Sequence, residues 1–132
     1  ILKYPNTTII QSGIKENFGS QREFNLEKSN SIKTIPLEIA IKNSDEPIYN
    51  SPINDPMRFK EIRYFFERGS LAMVKVGYQS SSSTEFFFSL NRSSVLDGRY
   101  SIFGKVVEGF DTLNKLEKGD KILKINSKIL DI

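Results

Sequence analysis

A chain of 132 residues that is 38% hydrophobic and 11% aromatic holds enough apolar material for one core, and reads as one domain. It has no Cys and no His, which excludes disulfides, thiolate and imidazole metal sites, cysteine nucleophiles and a Ser-His-Asp triad; with no calcium-loop spacing either, neither metal nor cofactor is expected. The net charge of +3 comes from 19 basic and 16 acidic residues, mostly interspersed, so nucleic acid is not an expected partner, and no apolar run approaches the roughly 18 residues of a spanning helix.

The sequence opens Ile-Leu-Lys-Tyr, without an initiator Met or a charged-then-apolar leader, so any targeting segment is expected to be cleaved or to lie ahead of it. Residues 7–11 read as a short β segment and 13–33, polar and rich in turn formers, as a surface loop. Over 32–42, Ile35, Leu37, Ile39 and Ile41 recur at period two, predicting one half-buried strand, with Pro36 assigning it to a sheet edge. Pro47, Pro52 and Pro56 among Asn, Ser and Asp predict that 43–56 wanders over the surface. Arg58, Lys60, Arg63 and Arg68, with Tyr64, Phe65 and Phe66 between them, could stack on bases and neutralise phosphates, but Glu61 and Glu67 dilute the charge and the aromatics read better as core.

From Ser70 the pattern turns to β. Strands are predicted over 71–76, 85–90 and 101–108, with the Ser tract of 79–83 as a flexible loop tip and Asp97-Gly98 as a tight turn. Phe110, Leu113 and Leu116 recur every third residue as the stripe of one short helix, ended by Gly119-Asp120. Leu123 and Ile125 alternate with Lys124 in a last predicted strand, 121–125. Many strands with one short helix make the fold class mainly β, a barrel or a sandwich.

The run LDGRYSIFGKVVEGFD at 96–111 resembles the signature of the cyclophilin-type peptidyl-prolyl isomerases, and GSLAM at 69–73, TEFFF at 84–88 and TTIIQSG at 7–13 are similar to that family's other motifs in order and spacing. KTIPLEI at 33–39 and EPIY at 46–49 resemble the thylakoid-lumen branch of chloroplasts and cyanobacteria. The resemblance implies a single cyclophilin-like domain over 1–132, a closed β-barrel with short helices, in which the family's first two strands and first helix have no counterpart. Such a gap would expose unpaired edges, so an N-terminal portion or a partner is expected to cover it. It also implies residence in the thylakoid lumen, peripheral to the membrane.

The family rotates X-Pro bonds, a step over a barrier of about 18–20 kcal/mol that needs no nucleophile or cofactor. The resemblance implies that it does so with an apolar proline pocket, hydrogen bonds to the neighbouring backbone and an Arg aimed at the prolyl nitrogen. Carried onto this sequence, Gln11 and Phe87 match catalytic positions, while the Arg falls at Lys3 or, with a one-residue gap, at Tyr4, neither of which offers a planar fork of donors. In the peptide groove Thr8 replaces a Phe, Val95 a Trp, Lys75 an Asn and Tyr100 a His; Glu85, which can only accept, replaces a Gln; Met73, Val74 and Leu96 complete the lining. Read as structure alone, Phe87 and Leu96 would be core and Gln11 a satisfied amide. Glu85 and Lys75 would form either an ion pair across the groove or two solvated side chains.

Three functions follow as expectations. The first is a degenerate domain serving as a binding or structural subunit for proteins of a photosynthetic membrane complex on its lumenal side. The second is a working isomerase that acts on X-Pro peptides. A third, weaker one comes from GDKILKIN at 119–126, which resembles a run of the peptide-binding PDZ domains.

Overall fold

The structure, a computed structural model, describes residues 1, 9–13 and 34–129. Its strands are β1 (Ile9–Gly13), β2 (Thr34–Pro36), β3 (Glu38–Ile39), β4 (Ile48–Tyr49), β5 (Ser70–Lys75), β6 (Ser80–Ser89) and β7 (Ile102–Lys105), followed by one helix, α1 (Phe110–Lys115). Two 3-10 turns, Pro56–Glu61 and Ser94–Leu96, join them. The fold is mainly β with short helices, the class the sequence predicts, and among the described residues the sheet is barrel-like without being closed by hydrogen bonds.

Strand β6 is the spine. Its antiparallel neighbours are β5 on one side and, on the other, β1 opposite 85–89 and β2 opposite 80–82; β7 lies beyond β5. Strand alternation then sorts the three phenylalanines of β6 onto two faces. Phe86 and Phe88 join Ile10 and Leu71 beneath α1, whose Leu113 is buried against them. Phe87 faces the other way, into a cluster with Phe66, Ala72, Val74, Leu96 and Tyr100. A third cluster, Leu37, Ile39, Ile53 and Ile62, fills the space between β3, β4 and the first 3-10 turn.

Several sequence expectations are corrected here. The strand predicted over 32–42 is broken at Leu37, whose N–H donates to Gln79 O while its own carbonyl accepts from Asn50 N, so the chain passes there from the β6 sheet to the β3–β4 pair. Ile35, ahead of the break, is 40% exposed. The segment 43–56 does not simply wander: β4 lies in it, and Pro52 and Ile53 are buried. The Ser tract is no loop tip. Ser81 and Ser82 are fully buried inside β6, in the stretch that pairs with β2. Between Met73↔Phe86 and Lys75↔Ser81 the ladder slips, leaving extra residues of β6 bulged, and Ser82 Oγ accepts the N–H groups of Thr84 and Glu85 there.

The helix ends at Lys115, with Leu116 N donating to Leu113 O, ahead of the Gly119-Asp120 pair expected to stop it. Residues 121–125 form no strand. Their alternation is real, but they pair with no described strand, and Leu123 is 93% exposed. The PDZ-like reading, which needs that strand, loses its element. The loop predicted over 13–33 lies, beyond Gly13, outside the described residues.

The turn at Asp97-Gly98 holds more than the sequence suggests. Asp97, 4% exposed, accepts from Phe66 N at 2.7 Å and from Arg92 Nη2 at 2.7 Å, while Arg92 Nη1 donates to Phe66 O at 3.0 Å. Asp97→Ala leaves the buried Phe66 N–H without an acceptor and is expected to cost about 2–4 kcal/mol, with Asp97→Asn, which keeps an acceptor, costing less. Urea denaturation of the two variants measures both, and equal stabilities would contradict this role.

Candidate functional site

Ile9 and Gln11, two apart on β1, project to the face opposite Ile10 and so reach the same side of the sheet as Phe87. Together with Val74, Lys75, Leu96 and Tyr100 they line a half-open cavity of about 130 Å³. An apolar cavity of about 150 Å³ accepts benzene, so a five-membered ring is a suitable occupant here. Val74 and Lys75 are sequence neighbours that alternation would point apart; both reach the cavity because the β5–β6 ladder is irregular between Met73 and Lys75.

Aromatic rings make the floor. Phe87 stacks on the fully buried Phe66 at 5.8 Å and 4°, and the Tyr100 ring meets both edge-on, at 5.4 Å from Phe87 and 6.2 Å from Phe66. Such pairs hold their rings in fixed relative orientation, so the floor is rigid.

The polar groups at the rim are engaged unevenly. Gln11 Nε2 donates to Glu85 Oε1 at 3.2 Å, which fixes the amide and leaves its carbonyl oxygen and one N–H for other partners. The Lys75 ammonium makes no ion pair with Glu85; it sits over the rings of Tyr100, at 5.4 Å, and Tyr78, at 5.5 Å. Partial burial, and then the nearby positive charge of Arg99, hold the Lys75 amine below its ordinary value. Neither of the arrangements considered for the Glu85–Lys75 pair is present, since each side chain has found a different neighbour.

Of the expected groove positions, the fold brings together Gln11, Phe87, Val74, Lys75, Leu96 and Tyr100, with Glu85 attached through Gln11. Met73 is half-buried on β5 outside the cavity lining, and Val95, next to Leu96 in the chain, is 69% exposed and outside it too. Lys3 and Thr8 lie outside the described residues. Ile9, Phe66 and Tyr78 are additions. Alternation from Gln11 would have indicated Ile9, whereas Phe66 lay concealed in the basic-aromatic run and Tyr78 in a turn, with no sequence signal. No acidic cluster suited to a metal occurs among the described residues.

The chain matches the family model of the cyclophilin type peptidyl-prolyl cis-trans isomerases over residues 3–131. It is 35% identical over 108 residues to a protein of Synechocystis named as a thylakoid lumen peptidyl-prolyl cis-trans isomerase, covering 74% of this chain and 28% of that one. It is 30% identical over 127 residues to a chloroplastic peptidyl-prolyl cis-trans isomerase of Arabidopsis thaliana, covering 89% of this chain and 29% of the relative. A Caenorhabditis elegans peptidyl-prolyl cis-trans isomerase is 34% identical over 83 residues, 63% of this chain and 47% of its own length. The chain thus spans between about a quarter and a half of these relatives.

The Lys75 environment has a measurable consequence. Its charged form is the one disfavoured in the fold, so protonated Lys75 opposes folding at neutral pH and stability rises with pH between the lowered value and the ordinary lysine value. In mildly alkaline solution Lys75 is expected to be acetylated faster than the exposed Lys124, by mass spectrometry of the labelled chain. Equal labelling of the two across the pH range would contradict this account.

Proposed function

Because the chain belongs to the cyclophilin-type peptidyl-prolyl cis-trans isomerase family, we propose that it is a cyclophilin-like domain whose groove binds X-Pro segments and turns them over weakly, so that its role is binding or structural. The observation that carries the reading is the composition of the groove. Its apolar floor of Phe87, Leu96 and Tyr100 suits a proline ring, but no Arg lines it among the described residues, and Gln11 is held by the anion Glu85. Rotation about the amide is speeded by donors aimed where the nitrogen gains electron density. An ammonium clasped between tyrosines is a poorer device for that than a guanidinium fork.

The thylakoid-lumen and chloroplast locations in the names of the Synechocystis and Arabidopsis relatives support placing this domain in the thylakoid lumen. On that basis its partners are proteins, plausible ones being subunits of a photosynthetic membrane complex, with the domain lying against the membrane. No described helix is long and apolar enough to cross it.

A second reading, a competent isomerase, is favoured by one observation: Gln11 and Phe87 stand on the same cavity, as the family's chemistry requires, and the names of the relatives are those of isomerases. Isomerisation of X-Pro peptides by the chain and by Gln11→Ala distinguishes the two. The binding reading expects both to stay near the uncatalysed relaxation, which takes tens of seconds or longer. Turnover well above it that Gln11→Ala removes would make the protein an enzyme.

A further inference from the structure

We infer that the groove selects X-Pro segments that carry a carboxylate side chain next to the proline, received by the Lys75 ammonium and the Arg99 guanidinium. The inference rests on the reading of this cavity as a proline-peptide site and adds the charge of the peptide to it.

Lys75 lines the cavity beside Gln11, Phe87 and Tyr100. Its ammonium is not a roaming surface charge. The rings of Tyr100 and Tyr78 flank it, and Tyr78 is itself fixed by a hydrogen bond from Asn54 Nδ2 to its hydroxyl at 2.7 Å. Arg99, one residue before Tyr100 in the chain, stands exposed close by, near enough for its charge to disfavour protonation of Lys75. Among the described residues neither cation is in an ion pair. Elsewhere Arg92 faces Asp97, Arg58 faces Glu61 and Lys105 faces Glu67. The carboxylate joined to the site, Glu85, accepts from Gln11 Nε2.

Two like charges held together without a counter-ion raise each other's energy, and an anion placed between them lowers it. A peptide lying in the groove also covers Lys75 further. With a neutral or basic residue beside the proline, that covering buries an unpaired ammonium; with a carboxylate, it makes a charge-assisted hydrogen bond instead. Discrimination therefore has a repulsive as well as an attractive part.

The test uses fluorescent peptides blocked at both ends, so that no terminal carboxylate competes: Ala-Glu-Pro-Ala, Ala-Gln-Pro-Ala, Ala-Lys-Pro-Ala and the proline-free Ala-Glu-Ala-Ala, titrated into the chain at low salt. The Glu-Pro peptide is expected to bind about threefold or more tighter than Gln-Pro, the span of an exposed ion pair, with Lys-Pro weakest. Lys75→Gln combined with Arg99→Gln should bring Glu-Pro binding down to the level of Gln-Pro, and Lys124→Gln, which changes net charge away from the groove, should leave the preference intact. Circular dichroism checks that each variant is folded. Equal binding of the three proline peptides, a preference that survives the double change, or equal binding of Ala-Glu-Ala-Ala would each overturn the inference. If the three proline peptides bind equally but tighter than Ala-Glu-Ala-Ala, only the charge selection fails; if Ala-Glu-Ala-Ala binds as well as Ala-Glu-Pro-Ala, the groove reading fails with it.

Discussion

The stack of Phe66 on Phe87 is the contact from which the groove is assembled. Phe87 comes from the central strand and Phe66 from an irregular segment, and nothing in the β ladder itself would bring the second over the first. What does so is a buried carboxylate: Asp97 takes the N–H of Phe66, and Arg92 grips both the Phe66 carbonyl and Asp97. Burying a ring the size of Phe66 stabilises by about 1.5–3 kcal/mol, and the hydrogen-bonded clamp determines where that ring is spent. Leu96 and Tyr100 flank Asp97-Gly98 in the chain, so the clamp that places the floor also places two of the walls.

The second determinant is the irregularity of β6. A regular ladder from Lys75 to Phe86 would send neighbouring side chains to opposite faces, and Val74 and Lys75 could not share a cavity. The bulge held by Ser82 breaks that alternation, and in the same stretch Glu85 comes within reach of Gln11. Bulges commonly re-aim side chains near functional sites, and here the result is a rim with a fixed amide and a cation between two tyrosines.

The cavity has an apolar and aromatic lining of Phe87, Leu96 and Tyr100, and the polar groups at its rim are Gln11, bonded to Glu85, and Lys75, over the rings of Tyr78 and Tyr100. Specificity from charge and affinity from apolar burial are separable contributions to holding a segment, and both are distinct from lowering a rotational barrier.

Much of this was legible in the chain. β-forming composition marked β1, β5, β7 and the Phe-rich half of β6; period three marked the helix; motif order marked the family and placed Gln11, Phe87, Leu96 and Tyr100, which line one cavity. These are local signals, set by which face of one element must avoid water, and they can be read without knowing the neighbours. The rest depended on neighbours. A Ser tract is polar by composition, yet Ser81 and Ser82 are buried within β6, where it pairs with both β2 and β5; 121–125 alternates as a strand should, yet pairs with no described strand and packs only Ile122 against the core; and Asp97 looks like a turn residue until the Phe66 backbone arrives at it. Sequence by itself determined the fold class, the family and most of the strands around β6, along with most of the cavity-lining residues. The tertiary structure alone decided which polar groups are paired, because a hydrogen-bond partner many residues away leaves no periodic trace in the chain.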